Sequence, residues 1–303
     1  MNTKVIKQKM KSVGNIKKIT RTMEMVSVAK MKRATIAAHA YRPFIRSTRH
    51  ILTTLYNDKH TQHKLLKNKN IIESSKDINI KKESENVGQT IVILMAANKG
   101  LCGGYNAQVY KALNKNIKAI DKSKISFITI GKYAERIAKR YGSNIIYSFA
   151  KNNIDNREAS IIAKEVIKRY TDNNNIVEKV LLIHPYIKSG MSYSVSVEQI
   201  LPYVFSPSPL RGEGWGEGSV SSSNFKYEPN ESTIVETIIP IMTEALIHAA
   251  ALETEAGEHA ARMVAMKTAT DNAGDLLHDL KLTFNNARQA KITQEIAELS
   301  SMI

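Results

Sequence analysis

The stretch EALIHAAALETEAGEHAARMVAMKTATDNA, residues 244–273, determines what kind of fold this sequence can adopt. Small and apolar residues recur in it at steps of three and four, which is the period of one helical stripe. Ten alanines fall within residues 245–273, so a partner helix can approach this stripe closely. The pattern therefore predicts a helix that packs against a second helix along its length.

The same stripe continues on both sides of this stretch and covers residues 232–300. Its members are Ile234, Ile238, Ile241, Ala245, Ala249, Leu252, Ala256, Ala260, Met263, Met266, Thr270, Ala273, Leu277, Leu280 and Phe284. At ~1.5 Å per residue this predicts a rod of roughly 100 Å. Thr233 and Glu236 have the spacing of a capping box at its start. Pro240 predicts an offset or a kink in the first turns.

A second stripe of the same period covers residues 3–57. It runs through Ile6, Met10, Val13, Ile16, Thr20, Met23, Ser27, Met31, Ala34 and Ala38. Gly14 weakens this helix by ~1 kcal/mol relative to Ala, and Pro43 predicts a kink or a local break. Because the two striped segments form the two ends of the chain, they predict an antiparallel coiled coil.

The middle of the chain has a different pattern, in which short β-branched runs alternate with amphipathic stretches. Strands are predicted at 90–97, 125–130, 144–150, 179–187 and 193–201, and helices at about 105–121, 132–141 and 156–171. Alternation of this spacing favours a mostly parallel sheet with crossover helices. The sequence thus predicts an α/β domain inserted between the two strands of a coiled coil.

Two segments fit neither pattern. Residues 58–88 are rich in Lys, Asn and Ser and are interpreted as a polar linker. Residues 206–223, SPSPLRGEGWGEGSVSSS, are dominated by Pro, Gly and Ser and are interpreted as a low-complexity insert in a surface loop. The predicted divisions are therefore 1–57, 58–88, 89–205, 206–223 and 232–303.

The charge of the chain is concentrated at its N-terminus. The formal net charge is +16, and residues 1–50 carry thirteen Lys or Arg against the single acid Glu24, which gives +12. Such a segment predicts an acidic partner, either nucleic acid, anionic lipid or an acidic protein surface. The sequence shows no apolar run near the ~20 residues that cross a bilayer, and no secretory signal.

The turn KGLCGGY, residues 99–105, is the first candidate for chemistry because it follows a strand and precedes a helix, where a phosphate loop would lie. It matches neither GxGxxG nor GxxxxGK[ST], so its glycines are interpreted as a tight turn. Cys102 is the only cysteine, which excludes an intramolecular disulfide and a four-Cys zinc site and fits a reducing compartment. His184 is the only candidate base for it, a weak dyad.

The remaining candidates are weaker still. The eight histidines show no paired metal-ligand spacing, so no metal site is predicted. The charged residues of the last helix, among them Glu255, Glu258, His259 and Arg262, have mixed sign and are interpreted as the solvated face of a rod with ion pairs.

Three separated blocks of this sequence resemble the gamma subunit of F-type ATP synthases. They are TRTMEMVSVAKMKR (residues 20–33), NKGLCGGYN (98–106) and EHAARMVAMKTATDNAGDLLHDLKLTFNNARQAKITQEIAEL (258–299). The resemblance implies an α/β protein in which a long antiparallel coiled coil of the N- and C-terminal helices carries an inserted Rossmann-like domain. It also implies a rotary central stalk without an active site, cofactor or metal, since catalysis takes place on the surrounding ring.

The resemblance also implies partners and contact residues. The partners are the alpha and beta subunits of the catalytic head, the epsilon subunit and the membrane rotor c-ring, at the cytoplasmic face of the bacterial inner membrane, with no nucleic acid and no small-molecule substrate. Arg288 and Gln289 resemble a pair that bonds a catch loop of one beta subunit, and Thr293 lies one turn further on. The resemblance implies that Met23 and Arg262 face each other near the torque-bearing beta lever and that Lys99 touches the ring. Tyr227 and Glu228 resemble foot residues on the rotor.

Three departures from the family pattern bear on these expectations. The few small residues that usually follow the ITQE segment are missing before Ile303, so the tip is expected to reach less far into the upper bearing. The insert at 206–223 precedes the foot residues and is expected to alter contact with the rotor. The chain also lacks the cysteine pair of the redox-regulated chloroplast form, so no thiol switch is expected.

Two other classes of function compete with this interpretation. A basic coiled coil that binds nucleic acid accounts for the N-terminal charge, but the first forty residues hold no Phe, Tyr or Trp for base stacking. Its affinity would fall steeply with salt concentration, whereas assembly with an acidic protein ring would resist salt better. An α/β enzyme that uses the glycine-rich turn is disfavoured because no catalytic partner accompanies Cys102.

Overall fold

The computed structural model describes residues 3–57, 64–66, 88–118, 120–151, 153–172, 177–189, 192–203, 228 and 230–300. The chain divides into two compact units, one formed by Met1–Lys30 with Arg262–Ile303 and the other by Met31–Ala261. We call them the stalk unit and the body unit. The predicted insert at 206–223 lies outside the described residues, as does most of the predicted linker at 58–88.

The elements in chain order are α1 (Thr3–Asn57), β1 (Gln89–Met95), α2 (Tyr105–Ile117), β2 (Ile125–Ile130), α3 (Lys132–Tyr141), β3 (Asn144–Phe149), α4 (Asn156–Thr171), β4 (Val177–Ser189), β5 (Ser192–Leu201) and α5 (Glu231–Ser300). A 3₁₀ turn, Lys122–Lys124, precedes β2. The two long terminal helices and the alternating middle predicted from the sequence are both present.

The long helices run through their prolines. α1 continues across Pro43 and α5 across Pro240, so the local break that was one alternative at Pro43 does not occur, and the kinks stay predictions. Near Pro43, Ile45 packs with Ala245 and Ala249 of α5, and such tertiary packing supplies most of the stability of a helix in a protein. The capping box predicted at Thr233 is also wrong. The side chain of Asn230 accepts the Thr233 N–H at 2.8 Å and caps the helix three residues earlier.

The sheet of the body unit has the strand order β3-β2-β1-β4-β5. β1 pairs in parallel with β2 and β4, and β2 pairs in parallel with β3. Only the last pair, β4 with β5, is antiparallel. Because the chain builds outward from β1 to β3 and then returns to the other side of β1, this is the doubly wound order of Rossmann-type domains. The predicted fold class is confirmed.

Each face of this sheet carries its own apolar core, as expected when helices cover both faces of a parallel sheet. One core combines β1 with α4 and the first part of α5, and includes Ile91, Ile93, Met95, Ile162, Val166, Val235, Ile239 and Met242. The other combines β1 with α2 and α3, and includes Val92, Leu94, Val109, Leu113, Phe127, Ala134 and Ala138. The inserted domain therefore uses the C-terminal helix as one of its own core helices.

This use of α5 explains where its stripe departs from the prediction. Val235 and Ile239 are buried although they lie outside the predicted stripe, whereas Ile241 inside it is 50% exposed. Within the body unit α5 packs against the sheet as well as against α1, so its buried face is rotated from the one that a two-helix coiled coil would need. Tyr41 of α1 contacts the His248 ring at a centroid distance of 4.9 Å.

The stalk unit consists of the first part of α1 and the last part of α5. The hydroxyl oxygens of Thr20 and Thr270 lie 2.8 Å apart, and Gly274 lies beside the Lys17 side chain. Because a lower number on α1 is paired with a higher number on α5, the two helices are antiparallel, as predicted. Apart from the fully buried Ile6, the buried seam is made mainly of small, polar and sulfur-containing side chains, including Thr20, Ser27, Met266, Thr270 and Ala273.

One helix of the described chain, α5 over Glu231–Glu298, is long and apolar enough to cross a bilayer by length and composition. The sequence analysis expected no such run, and this expectation is contradicted. Core helices of globular proteins pass the same test, and half of the apolar window is buried inside the protein.

Candidate functional site

The turn between β1 and α2 is tied to the protein through its backbone N–H groups. Ala97 N–H donates to the side-chain oxygen of Asn106 at 3.2 Å. The next two N–H groups, of Asn98 and Lys99, donate to the two carboxylate oxygens of Glu258 at 2.9 and 3.3 Å. Three successive donors at the end of a buried strand are thus matched by side-chain acceptors, which satisfies groups that would be costly to bury unpaired.

Glu258 belongs to a single turn of α5 that contacts the β1–α2 turn at several points. Its side chain is only 2% exposed. The Tyr105 hydroxyl donates to the Thr254 carbonyl at 2.7 Å. A Cβ at Gly257 would lie 3.3 Å from the Tyr105 ring, so glycine permits the close approach of helix and ring. This turn of α5, together with the β1–α2 turn, forms what we call the docking site.

The tip of the β1–α2 turn projects away from this contact. Leu101 has φ +62° and a side chain that is 63% exposed, and it is the only non-glycine residue with positive φ in the part of the chain that the structure describes. A non-glycine residue in the left-handed region is uncommon and strained. Lys99, two residues earlier, is also exposed. The turn therefore presents an apolar and a cationic side chain to the surroundings.

The nucleotide and enzyme alternatives for this turn meet a physical obstacle. The Glu258 carboxylate already occupies the two N–H groups that would approach a phosphate. The Cys102 thiol is buried, lies 3.7 Å from the Lys99 carbonyl oxygen and receives the Asn106 amide at 3.5 Å. His184 lies instead beside Glu253, with Nδ1 3.8 Å from a carboxylate oxygen. Cys102 and His184, the weak dyad considered from the sequence, thus each contact other residues.

Glu253 forms a second polar cluster of the body unit, where α1, α5 and β4 meet. Its carboxylate lies 3.8 Å from His184 Nδ1 and 4.0 Å from Arg42 Nη2. Burial raises the pKa of the Glu253 carboxyl, Glu198 adds to this, and the charges of His184 and Arg42 only partly oppose it.

The predicted contact residues on the stalk unit lie on the exposed faces and the seam of its helices. Arg288, Gln289 and Thr293 are all exposed on α5, and the Thr293 hydroxyl donates to the Gln289 carbonyl at 3.0 Å. Met23 is half-buried on α1 and Arg262 is buried on α5. Their roles stay predictions, as do those of the foot residues. Glu228 is exposed, and Tyr227 lies outside the described residues.

Sequence reasoning missed the buried charges of α5. Glu258, His259 and Arg262 were expected on a solvated face, but each is less than a tenth exposed, so this interpretation is wrong for these three residues. The helical pattern could not show it, because the partner of Glu258 comes from a turn some 160 positions away. The one local signal is Gly257, a poor helix former directly before Glu258. Within the described residues, no three His, Cys, Asp or Glu side chains are grouped as a metal site would require.

A pair of long antiparallel terminal helices with one inserted Rossmann-type domain defines a stalk-like class of protein, and the comparisons agree with this class. The family described as ATP synthase matches residues 2–302. An ATP synthase gamma chain of Halothermothrix orenii is 33% identical over 299 residues, covering 97% of this chain and 95% of the relative. Another from Staphylococcus saprophyticus is 32% identical over 301 residues, covering 98% and 96%.

A solved structure shows the same fold. The rotor of the Euglena gracilis mitochondrial ATP synthase matches with a TM-score of 0.60 at 17% identity, covering 96% of this chain and 98% of that one. The chain belongs to the ATP synthase gamma chain family and is a central-stalk subunit of an F-type ATP synthase. The resemblance and the predicted identity as a central-stalk subunit are confirmed, and the nucleic-acid alternative is not favoured.

Proposed function

We propose that this subunit transmits torque between a membrane rotor ring and the catalytic beta subunits. The observation that carries the proposal is the end of α5, where every described side chain over residues 288–298 is exposed. Arg288, Gln289 and Thr293 lie in this stretch, and the sequence resemblance gives them the contact with the catch loop of a beta subunit. A helix end whose described side chains are all exposed is suited to act inside a surrounding partner.

The basic N-terminal segment supports the same proposal. Of its thirteen Lys and Arg side chains, all but Arg42 and Arg49 are exposed. Exposed charges interact weakly one at a time in water, which suits a shaft that must leave one beta subunit and meet the next. Acidic levers on the beta subunits are the partner we propose for this face, with Met23 and Arg262 near the lever and Lys99 against the ring.

The further partners are the alpha subunits, the epsilon subunit and the c-ring. Neighbouring folds occur in assemblies described as a rotor, as a central stalk with c-ring and as F1 with c-ring, which supports this set. Tyr227 and Glu228 are the residues we propose at the rotor. The chain is proposed to have no active site, because Glu258 fills the crevice where the body unit would otherwise bind a nucleotide phosphate.

The proposed location is the cytoplasmic face of a bacterial inner membrane, as a peripheral subunit. Half of the apolar window of α5 is buried inside the protein, which supports peripheral attachment over a membrane span. Carbonate extraction of membranes from cells that make the whole complex distinguishes the two, because it releases a peripheral subunit and leaves a spanning one behind.

The test is co-expression with the matching alpha and beta subunits, followed by size-exclusion chromatography and an ATPase assay. We expect the chain to elute with the hexameric ring and Arg288→Ala with Gln289→Ala to lower turnover several-fold, since each lost hydrogen bond from a charged or polar group contributes about 1–3 kcal/mol. Lys291→Ala is the matched control. Lys291 lies in the same exposed stretch and, among the described residues, pairs with Glu295 of its own helix at 3.2 Å, so turnover should stay unchanged.

Two outcomes contradict the proposal. If the ring forms and the chain elutes alone, the subunit does not work inside it, and binding to nucleic acid becomes the next measurement. If the double variant and the Lys291→Ala control reduce turnover equally, the end of α5 acts through its overall charge. The specific contacts proposed for Arg288 and Gln289 are then wrong.

A further inference from the structure

The docking site occupies the position at which domains of this strand order bind their ligands. β1 and β4 are parallel neighbours in the sheet. The next strand after β1 lies on one side of this pair and the next strand after β4 lies on the other. The crevice beyond the carboxyl ends of such a strand pair is the usual ligand site of doubly wound sheets, and backbone N–H groups there commonly hold a phosphate. In this chain the crevice receives a carboxylate from its own C-terminal helix.

The Glu258 carboxylate binds the turn through both of its oxygens. Each oxygen of Glu258 accepts one of two successive backbone N–H groups. Hydrogen bonds to an ionised acceptor are roughly twice as strong as neutral ones. A glutamine of the same shape could accept from only one N–H, and its amide would present hydrogen atoms to the other.

The turn that Glu258 holds is in a conformation that requires support. Leu101 is in the left-handed region and exposed, and neither its backbone strain nor its exposed apolar side chain favours folding. Strained residues persist where the surrounding structure determines them, and they concentrate at functional sites. The contacts of Glu258, Gly257 and Thr254 with the turn provide this support from a single turn of α5.

We propose that Glu258 is a positioning residue, a built-in anion that fixes the β1–α2 turn to α5 so that Lys99 and Leu101 face the catalytic ring in one orientation. This inference rests on the proposed function, because it takes the contact of Lys99 with the ring as given. It adds a mechanical role for a buried carboxylate: force that the ring applies to the turn passes to α5 through the Glu258 hydrogen bonds.

The test compares Glu258→Gln with Glu255→Gln in the assembled complex. Glu255 lies on the same helix, three residues earlier, and contacts His259 of its own helix at 3.8 Å, so it controls for the loss of one charge. The first measurement is hydrogen exchange of the Asn98 and Lys99 amides. We expect about tenfold faster exchange in Glu258→Gln, the factor that corresponds to loss of one charge-assisted hydrogen bond, and no change in Glu255→Gln.

The second measurement is ATPase turnover of the same complexes, which should fall in Glu258→Gln and stay unchanged in Glu255→Gln. A third readout separates positioning from general stability. Glu258→Ala removes the carboxylate, and added acetate should restore slow exchange of the two amides, with chloride at equal ionic strength as its control. Rescue of turnover together with slow exchange supports the positioning role, whereas rescue of slow exchange alone would indicate a merely structural one.

Unchanged exchange at Asn98 and Lys99 in Glu258→Gln would overturn the inference, and so would faster exchange without any loss of turnover. The double variant Lys99→Ala with Leu101→Ala tells the two proposals apart. If this variant lowers turnover and Glu258→Gln does not, only the positioning role is wrong. If neither lowers turnover, the proposed contact between the turn and the ring is wrong as well.

Discussion

The body unit and the stalk unit are stabilised by different kinds of contact. The body unit buries large apolar side chains on both faces of its sheet. The stalk unit buries a narrow seam in which Ile6, Met263 and Met266 are the large apolar side chains, and it leaves most of its other large apolar side chains exposed, among them Ile16, Ile19, Met25, Val26, Leu276 and Leu282. Exposed apolar residues in such numbers indicate a surface that another protein covers. One chain thus combines a domain with its own core and a shaft that depends on its surroundings.

Removal of a large side chain tests this difference with the largest expected effect. Phe127 is fully buried and contacts the Tyr141 ring at a centroid distance of 6.1 Å. Phe127→Ala should lower the free energy of unfolding of the body unit by about 3–5 kcal/mol. Ile19 is 59% exposed, and Ile19→Ala should change the stability of the isolated chain by less than about 0.5 kcal/mol. Urea unfolding followed by circular dichroism measures both.

In the assembled complex, the exposed residue Ile19 becomes the more informative of the two positions. If the exposed face of the stalk unit is covered in the complex, Ile19→Ala should weaken binding to the ring although it leaves the isolated chain intact. Equal destabilisation of the isolated chain by both variants would contradict the comparison, because it would mean that the stalk unit has a core of its own.

The fold was largely predictable because the helical pattern at the two ends of the chain is long and differs clearly from the strand–helix alternation of the middle. Steps of three and four along 3–57 and 232–300 leave little choice of structure, and the β-branched runs of the middle are separated by amphipathic helices of ordinary length. The errors lie where tertiary contacts override local preference. Pro43 does not break α1, because the helix is packed on α5, and Ile241 is half-exposed, because the sheet covers another face of α5.

The candidate site was only partly predictable. The family motif identified the β1–α2 turn and Lys99, and glycine spacing identified a tight turn rather than a phosphate loop. Neither indicates Glu258, because a charge on an amphipathic helix is expected to face water. Its burial depends on two backbone N–H groups brought to it by the sheet, and no pattern along α5 encodes them.

A smaller effect tests the seam of the stalk unit. Thr270→Val keeps the shape of the side chain and removes the hydroxyl that lies 2.8 Å from the Thr20 hydroxyl. We expect a loss of about 1 kcal/mol, the usual net contribution of one hydrogen bond. Amide exchange of residues 14–28 should accelerate by roughly fivefold if the seam opens locally. Thr268→Val is the matched control, since Thr268 is exposed on the same helix and, within the described part of the chain, bonds to the Val264 carbonyl at 3.1 Å.

The smallest effect concerns the Glu253 cluster, where the body unit resembles the stalk unit in using a polar contact between helices. Burial raises the folded-state pKa of this carboxyl above its ordinary value of 4.5. Below pH 4.5 both folded and unfolded chains hold the proton, and the group does not oppose folding. As the pH rises through the folded-state pKa, the folded chain must ionise a buried group and loses stability. Glu253→Gln should therefore gain stability relative to the native chain between pH 4 and pH 7.

Urea unfolding of both chains at the two pH values gives this difference directly, and the value at pH 4 serves as the internal control for packing. The opposite sign is the informative alternative. If Glu253→Gln loses stability relative to the native chain as the pH rises, attraction to Arg42 and His184 outweighs the cost of burial. The cluster would then be an ion pair that binds α1 to α5, and the body unit would join the two helices by charge where the stalk unit joins them by a hydroxyl pair.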